Sequence, residues 1–106
     1  MFTLDARDSH CTVRVAGELT IFHAAQGKSV LLEAVDGYTD VDLDLSGVTE
    51  LDGAGVQVLL LANREAVRYG RNLRIVAHSE ASSAVIAFLS LDALFGERAE
   101  LCEEAA

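Results

Sequence analysis

Three histidines, His10, His23 and His78, are the side chains best suited to act as a general base near neutral pH. Catalysis would also need a nucleophile beside the base and donors for developing negative charge. None of the three stands in such an arrangement, and the sequence contains no Walker loop, HExxH or GxSxG motif. We therefore predict exposed or edge histidines and a protein that is not an enzyme.

The most distinctive segment is residues 45–60, LSGVTELDGAGVQVLL, in which Asp52 precedes Gly53, Ala54 and Gly55. An aspartate before an apolar period is typical of a helix N-cap. Three small residues leave the first backbone N–H groups accessible, and a helix N-terminus carries about half a positive charge. The pattern indicates a site for a closely approaching protein, or for a small anionic ligand or nucleotide. Tight packing of the loop alone would give the same pattern.

Hydrophobic periodicity predicts four strands and three helices around this segment. The predicted strands are residues 2–5, 11–16, 41–45 and 73–77, and the predicted helices are residues 22–35, 53–69 and 80 to 88 or 89. Asp8 and Ser9 are expected to turn the first two strands into a hairpin, and residues 46–51 are expected to form a loop. Asp52 and Gly70 are the expected caps of the second helix, and Ser79 is the expected N-cap of the third.

The third predicted strand, residues 41–45, alternates strictly between apolar residues and aspartates. A parallel strand covered on both faces would be apolar throughout, so one face of the sheet should meet water. Right-handed crossovers place the helices on the opposite face. The predicted fold class is α/β, a mixed β-sheet with helices packed on one face and the other largely solvent-exposed. Asp42, Asp44, Arg14 and Arg74 are expected to form a solvated charged lattice there.

The composition predicts one cytoplasmic domain over residues 1–106, with an acidic tail from about residue 97. The net charge of −9 disfavours nucleic acid and anionic membranes as partners. The longest apolar run, residues 58–62, is too short to insert into a membrane, and no secretory signal begins the chain. Cys11 and Cys102 lack metal-ligand spacing, so we expect reduced structural cysteines, no metal and no cofactor.

Motifs along nearly the whole chain resemble the STAS domain of bacterial anti-sigma factor antagonists. Gly-Glu-Leu at residues 17–19 is similar to a turn of that family, and residues 44–48 followed by 51–56 resemble its signature loop. Residues 69–73 resemble its usual link from helix to strand. The resemblance implies a STAS-like fold and a non-enzymatic module for signal transduction and transcription regulation.

The resemblance also implies a phosphorylation switch that this sequence lacks. In sigma-regulating members, a kinase that is also the anti-sigma factor phosphorylates a serine at the start of this helix, which ends binding. That position is Ala54 here, and the preceding position, often Ser or Thr, is Gly53. No phosphorylation is expected, because neither residue has a hydroxyl. Ser46 and Thr49 are nearby hydroxyls, but turn hydroxyls usually bond locally.

Two further branches of the family tolerate a changed serine. Residues 17–25 together with 59–66 resemble small stand-alone members linked to chemotaxis-type signalling systems. The alternative branch consists of STAS subunits that bind the ATPase of lipid-transport ABC systems. The expected partner is accordingly an anti-sigma factor or serine kinase or a chemotaxis-type signalling protein, and alternatively an ABC ATPase. Unpaired edge strands are compatible with a monomer or a weak dimer.

Helical geometry divides the second helix into an inward and an outward arc. The inward arc is predicted to contain Val56, Leu59, Leu60, Ala62, Asn63, Ala66 and Val67. The outward arc contains an exposed Leu61 among polar and basic residues, which favours an acidic partner surface. The predicted partner-binding residues are Asp52, Gly53, Ala54, Gly55, Gln57, Leu61, Arg64 and Arg68. The family resemblance adds Thr20, because the residue that follows Gly-Glu-Leu is often an aspartate involved in partner contact.

Overall fold

A computed structural model describes residues 1–89 and shows a mixed α/β fold with a four-stranded sheet and three helices. The elements are β1 Phe2–Arg7, β2 His10–Leu19, α1 Ala24–Gly37, β3 Asp40–Leu51, α2 Gly53–Arg68, β4 Asn72–His78 and α3 Glu80–Phe88. Each predicted strand and helix is present. The predicted tail from residue 97, together with Cys102, lies outside the described residues.

The strands are arranged in the order β1-β2-β3-β4. β1 and β2 form the predicted antiparallel hairpin, with Asp8 at the turn in a left-handed conformation (φ 54°) that aspartate tolerates. β2 pairs with β3, and β3 with β4, in parallel. The helices α1 and α2 supply these two crossovers and pack against each other.

The core lies between the sheet and these helices. Val13, Leu43 and Ile75 are side by side on β2, β3 and β4, and none of the three is exposed. Leu31 and Val35 of α1 and Leu59 of α2 belong to the same buried cluster. Apolar residues at alternate strand positions and at helical spacing thus meet across one interface. Cys11 is also buried there as a free thiol, as expected.

The prediction of a loop over residues 46–51 is wrong, because β3 continues to Leu51. β2 likewise continues through Gly17 (φ 92°) to Leu19. Two register shifts in the pairing of these strands, one beyond Arg14 and one beyond Gly17, keep them in contact despite the broken alternation. Such irregularities depend on the partner strand and leave no periodic signal in either sequence.

The first helix begins at Ala24 and ends at Gly37, two residues later at each end than predicted. Its buried residues are Gly27, Leu31, Ala34 and Val35, whereas Ala25 and Lys28 are exposed. A Cβ on Gly27 would lie 3.2 Å from the ring of Phe2. The glycine therefore allows a close approach of α1 to β1 that compensates for its low helix propensity.

The second helix ends at Arg68, with Tyr69 as the capping residue and Gly70 beyond it at φ 70°. Gly70 therefore follows the capping residue, in the left-handed conformation that commonly ends a helix, instead of being the cap itself. Val67, predicted to face inward, is 72% exposed, whereas Val58 is buried. The inward arc is thus rotated toward α1, against which α2 packs.

The third helix begins as predicted. The hydroxyl of Ser79 accepts a hydrogen bond from the backbone N–H of Ser82 at 3.0 Å, and Ser82 completes a capping box. α3 packs mainly against β3. Among residues 1–89, no helix is long and apolar enough to cross a membrane.

Candidate functional site

The start of α2 is joined to the loop between β2 and α1 by one carboxylate. Asp52 Oδ1 accepts a hydrogen bond from the backbone N–H of Gly55 at 2.9 Å, which confirms the predicted N-cap. Asp52 Oδ2 accepts a second bond, from the backbone N–H of Ile21, at 3.1 Å. The loop and the helix start are therefore held as one unit, although 31 residues separate Asp52 from Ile21.

The same carboxylate neutralises the positive end of α2. The hydrogen bond from Gly55 has the largest effect on the pKa of Asp52 and lowers it. Desolvation raises this pKa, but the further bonds from Ile21 and Ala54 also lower it, so the net shift is downward. The helix N-terminus thus already has a negatively charged side chain beside its first N–H groups. This arrangement weakens the expectation of an external anion or nucleotide at this position.

Gly53 and Gly55 have different roles in this turn. A Cβ on Gly55 would lie 2.1 Å from the backbone oxygen of Leu19 and 2.7 Å from Leu51 Cδ1. A Cβ on Gly53 would meet nothing within 4 Å. Gly55 is therefore a packing residue between α2 and the end of β2, while Gly53 is exposed at the surface.

Thr20 lies beneath the surface rather than on it. Only 3% of the residue is exposed, and its hydroxyl has no hydrogen-bond partner among the described residues. Its backbone oxygen accepts a bond from the N–H of His23 at 2.9 Å, which closes the turn before α1. A contact between the Thr20 side chain and a partner stays a prediction, and it would require the turn to uncover this side chain.

Two apolar residues that the sequence analysis did not select stand at this turn. Ile21 is 70% exposed and Phe22 is 84% exposed. Both follow directly after Thr20, and the N–H of Ile21 is held by Asp52. The predicted helix includes Phe22, whereas α1 begins at Ala24 after His23, whose side chain makes no capping bond. No capping residue in the sequence therefore marked this later start.

A groove with a volume of about 620 Å³ runs between α1 and α2 beside this turn. It brings together four of the predicted partner-binding residues, Ala54, Gln57, Leu61 and Arg64. Leu61 is half-buried in the groove rather than fully exposed as expected. The complete lining is Ala24, Ala25 and Lys28 from α1, and Ala54, Gln57, Val58, Leu60, Leu61 and Arg64 from α2.

Arg68 does not line the groove. Its Nη1 lies 3.8 Å from Glu65 Oε2 on the same helix, and Arg68 is exposed whereas the carboxylate oxygen of Glu65 is buried. Of the predicted residues, Asp52 and Gly55 thus fix the start of α2, and Gly53 and Ala54 are the small residues at its surface. Gln57, Leu61 and Arg64 line its groove.

The hydroxyl of Ser46 is bonded locally, as expected. It donates to Asp44 Oδ1 at 2.6 Å, and the backbone N–H of Ser46 donates to the same oxygen at 2.9 Å. A phosphate on Ser46 would break this bond and stand beside a carboxylate. Thr49 is exposed on β3.

A second polar cluster lies on the sheet face opposite the core. Asp42 is only 7% exposed, so the expectation of a fully solvated lattice is wrong at this residue. Its carboxylate lies 2.8 Å from His10 Nε2 and 3.1 Å from Arg74 Nε, and these side chains shield it from water. Desolvation raises the pKa of Asp42, but the hydrogen bonds from His10 and Arg74 and the charge of Arg74 produce a net lowering.

His10 is thus paired with a carboxylate, and His23 Nδ1 lies 2.9 Å from the backbone oxygen of Glu18. His78 Nδ1 lies 3.1 Å from the hydroxyl of Ser82. In residues 1–89 no group of three or more His, Cys, Asp or Glu side chains could hold a metal ion. The candidate site for recognition is the turn of Ile21 and Phe22 with the adjoining groove.

Comparison with known proteins agrees with this architecture. The family model described as "Mlab, STAS domain" matches residues 2–96, and the chain therefore belongs to the STAS domain family. No curated protein matches the chain at a significant level of sequence similarity.

Solved structures of STAS proteins share the fold. A candidate anti-sigma factor antagonist from Thermotoga maritima is 22% identical with a TM-score of 0.80, and the match covers 97% of this chain and 92% of that one. The phosphorylated form of the Bacillus cell fate determinant SpoIIAA is 18% identical with a TM-score of 0.69, over 100% of both chains. The STAS domain of a SulP transporter from Vibrio cholerae is 17% identical with a TM-score of 0.67, over 89% of this chain and 73% of that one. These TM-scores show that the proteins share one fold.

Proposed function

We propose that this chain is a non-enzymatic, cytoplasmic regulator in bacteria that acts like an anti-sigma factor antagonist by binding a partner protein. The proposal rests on one observation, the exposed apolar residues Ile21 and Phe22 on a turn whose Ile21 N–H is bound by Asp52, the residue that caps α2. Apolar side chains at 70% and 84% exposure, fixed on a turn whose backbone is hydrogen-bonded, are typical of residues that anchor a partner. The partner is an anti-sigma factor or serine kinase, or a chemotaxis-type signalling protein.

In this proposal the protein works without phosphorylation of its own. The phosphorylated form of SpoIIAA has the same fold, but the position that carries the serine in the resembling family is Ala54 here. Gly53 before it also lacks a hydroxyl, and the hydroxyl of Ser46 is held by Asp44. Control of binding would then come from the amount of the protein or from the state of the partner.

An alternative function is that of a STAS subunit bound to a transporter ATPase. The STAS domain of a SulP transporter has the same fold, so this fold also occurs as part of a transport protein. Both functions use a protein-binding surface, and they differ in the class of partner. Identification of that partner distinguishes them.

The test is affinity capture from a lysate of the source organism with four variants beside the wild type. Phe22→Ala removes the exposed ring, and Ala54→Asp places a negative charge where the family carries its phosphate. Phe88→Ala is the control for the first, since Phe88 is 85% exposed on α3, and Ala87→Asp is the control for the second. We expect a kinase-like ATPase, an anti-sigma factor or a chemotaxis-type protein to be lost with the first two variants and kept with the controls.

Other outcomes are equally informative. Capture that is unchanged by both Phe22→Ala and Ala54→Asp would remove this surface from the proposal. Capture of an ABC ATPase would establish the alternative function.

A further inference from the structure

The groove between α1 and α2 has the shape of a helix-binding site. Its lining residues Ala54, Val58 and Leu61 recur at about one turn along α2, and Ala24 and Ala25 face them from α1. From Ala54 to Arg64 the groove extends for about 15 Å, at a rise of about 1.5 Å per residue. That length matches about three turns of a docked helix, and small alanine side chains allow its backbone to approach closely.

The cationic side chains of this groove form no ion pair among residues 1–89. These are Lys28, the single lysine of the sequence, and Arg64. Arg7 and Arg71 also form no ion pair there but do not line the groove, whereas Arg14, Arg68 and Arg74 are paired. Both cations line the groove, one from each helix. They form a local positive region in a chain whose net charge is −9.

The charge distribution selects one kind of occupant. A second copy of this chain would bring another net charge of −9, and an anionic membrane surface would be repelled by the same charge. An acidic segment of another protein would be attracted electrostatically by the two cations of the groove. Its apolar side chains would pack against the alanines and Leu61. Electrostatic complementarity of this kind directs specificity and the rate of association.

We infer that the α1–α2 groove binds an acidic amphipathic helix of the partner protein, with its apolar stripe against Leu61 and its carboxylates beside Lys28 and Arg64. The inference rests on the proposed function and specifies which element of the partner is recognised. Phe22 and Ile21 are a separate apolar contact, because neither belongs to the lining of the groove; Phe22 precedes the lining residue Ala24 by two positions.

The test uses a displayed library of helix-forming peptides of about 15 residues, roughly four turns. Each peptide carries leucines at a fixed i, i+3, i+4, i+7 stripe, and the flanking positions vary among Glu, Gln and Lys. We expect selection on the wild-type protein to enrich glutamate at the flanking positions. Enrichment of lysine, no preference among the three residues, or no binding peptide would overturn the inference.

The best recovered peptide is then measured by fluorescence anisotropy against Lys28→Glu, Arg64→Glu and the control Arg7→Glu. All three substitutions change the net charge equally, but Arg7 is exposed on β1 and away from the groove. We expect Kd to rise about threefold to tenfold for each groove variant, since each replaces attraction by repulsion, and to change less than twofold for Arg7→Glu. Equal effects of the three variants would show a general charge effect and overturn the inference.

Two further measurements separate this inference from its alternatives. Sedimentation of the wild type and Leu61→Glu tests self-association, and a dimer abolished by Leu61→Glu would assign the groove to a second copy and overturn the inference. In the lysate experiment, a partner lost with Phe22→Ala but retained by both Lys28→Glu and Arg64→Glu would overturn the inference while leaving the proposed function intact. If the proposed function itself is wrong, capture will also be unchanged by Phe22→Ala and Ala54→Asp.

Discussion

Asp52 Oδ2 accepts a hydrogen bond of 3.1 Å from the backbone N–H of Ile21, across two elements that are adjacent only in the folded chain. The same carboxylate caps α2 through the N–H of Gly55. One side chain therefore fixes both the start of a helix and the turn that presents Ile21 and Phe22. Apolar residues on a turn that is already ordered lose less conformational freedom when a partner binds.

Removal of this carboxylate should loosen the turn before it affects the rest of the fold. In Asp52→Ala the N–H groups of Ile21 and Gly55 lose their acceptor, so their amide hydrogens should exchange faster with solvent. Glu50→Ala is the control, because Glu50 is exposed on the adjoining end of β3. Hydrogen exchange followed by NMR measures both. Unchanged protection of Ile21 in Asp52→Ala would contradict the assigned link.

The two glycines at the start of α2 should respond differently to a methyl group. Gly55→Ala places Cβ against the backbone oxygen of Leu19, so the strand end or the helix must shift, at a cost of about 1–3 kcal/mol in the free energy of unfolding. Gly53→Ala meets nothing within 4 Å and should change that free energy by less than about 0.5 kcal/mol. Urea unfolding of the two variants compares them directly. Equal effects would refute the packing role of Gly55.

Asp42 should contribute stability that depends on pH. Because its folded-state pKa is lowered from the usual value of 3.8, this contribution is present above that value and is lost as the pH falls through the folded-state pKa. Asp42→Asn should lower the free energy of unfolding by about 1–3 kcal/mol near pH 7, and the difference should shrink below about pH 4. Asp36→Asn, at an exposed carboxylate, should change it by less than about 0.5 kcal/mol. A difference that is independent of pH would contradict the charged role of Asp42.

Phosphorylation should be restored by one substitution if the captured partner is a kinase. Incubation of the wild type with that partner and ATP should give no phosphorylated product, because Ala54 and Gly53 lack hydroxyls and Ser46 is bonded to Asp44. Ala54→Ser should gain the mass of one phosphate, measured on the intact protein. Phosphate on Ser46 or Thr49 of the wild type would show that the switch has moved rather than been lost.

Local patterns in the sequence determined the elements of this protein and the chemistry that it lacks. Alternation predicted β2 and β3, the caps Asp52 and Ser79 marked the starts of α2 and α3, and the residue type at position 54 excluded a hydroxyl. These features are readable because each depends on residues a few positions apart, at the period of a strand or a helix.

Only the tertiary structure decided how distant segments meet at the site. The extension of β3 to Leu51 depends on register shifts in its pairing with β2, and the need for glycine at position 55 depends on the backbone of Leu19. The exposure of Phe22 depends on where α1 begins, and the burial of Asp42 depends on side chains from β2 and β4. Each outcome is set by contacts between residues far apart in sequence, which no local period can encode.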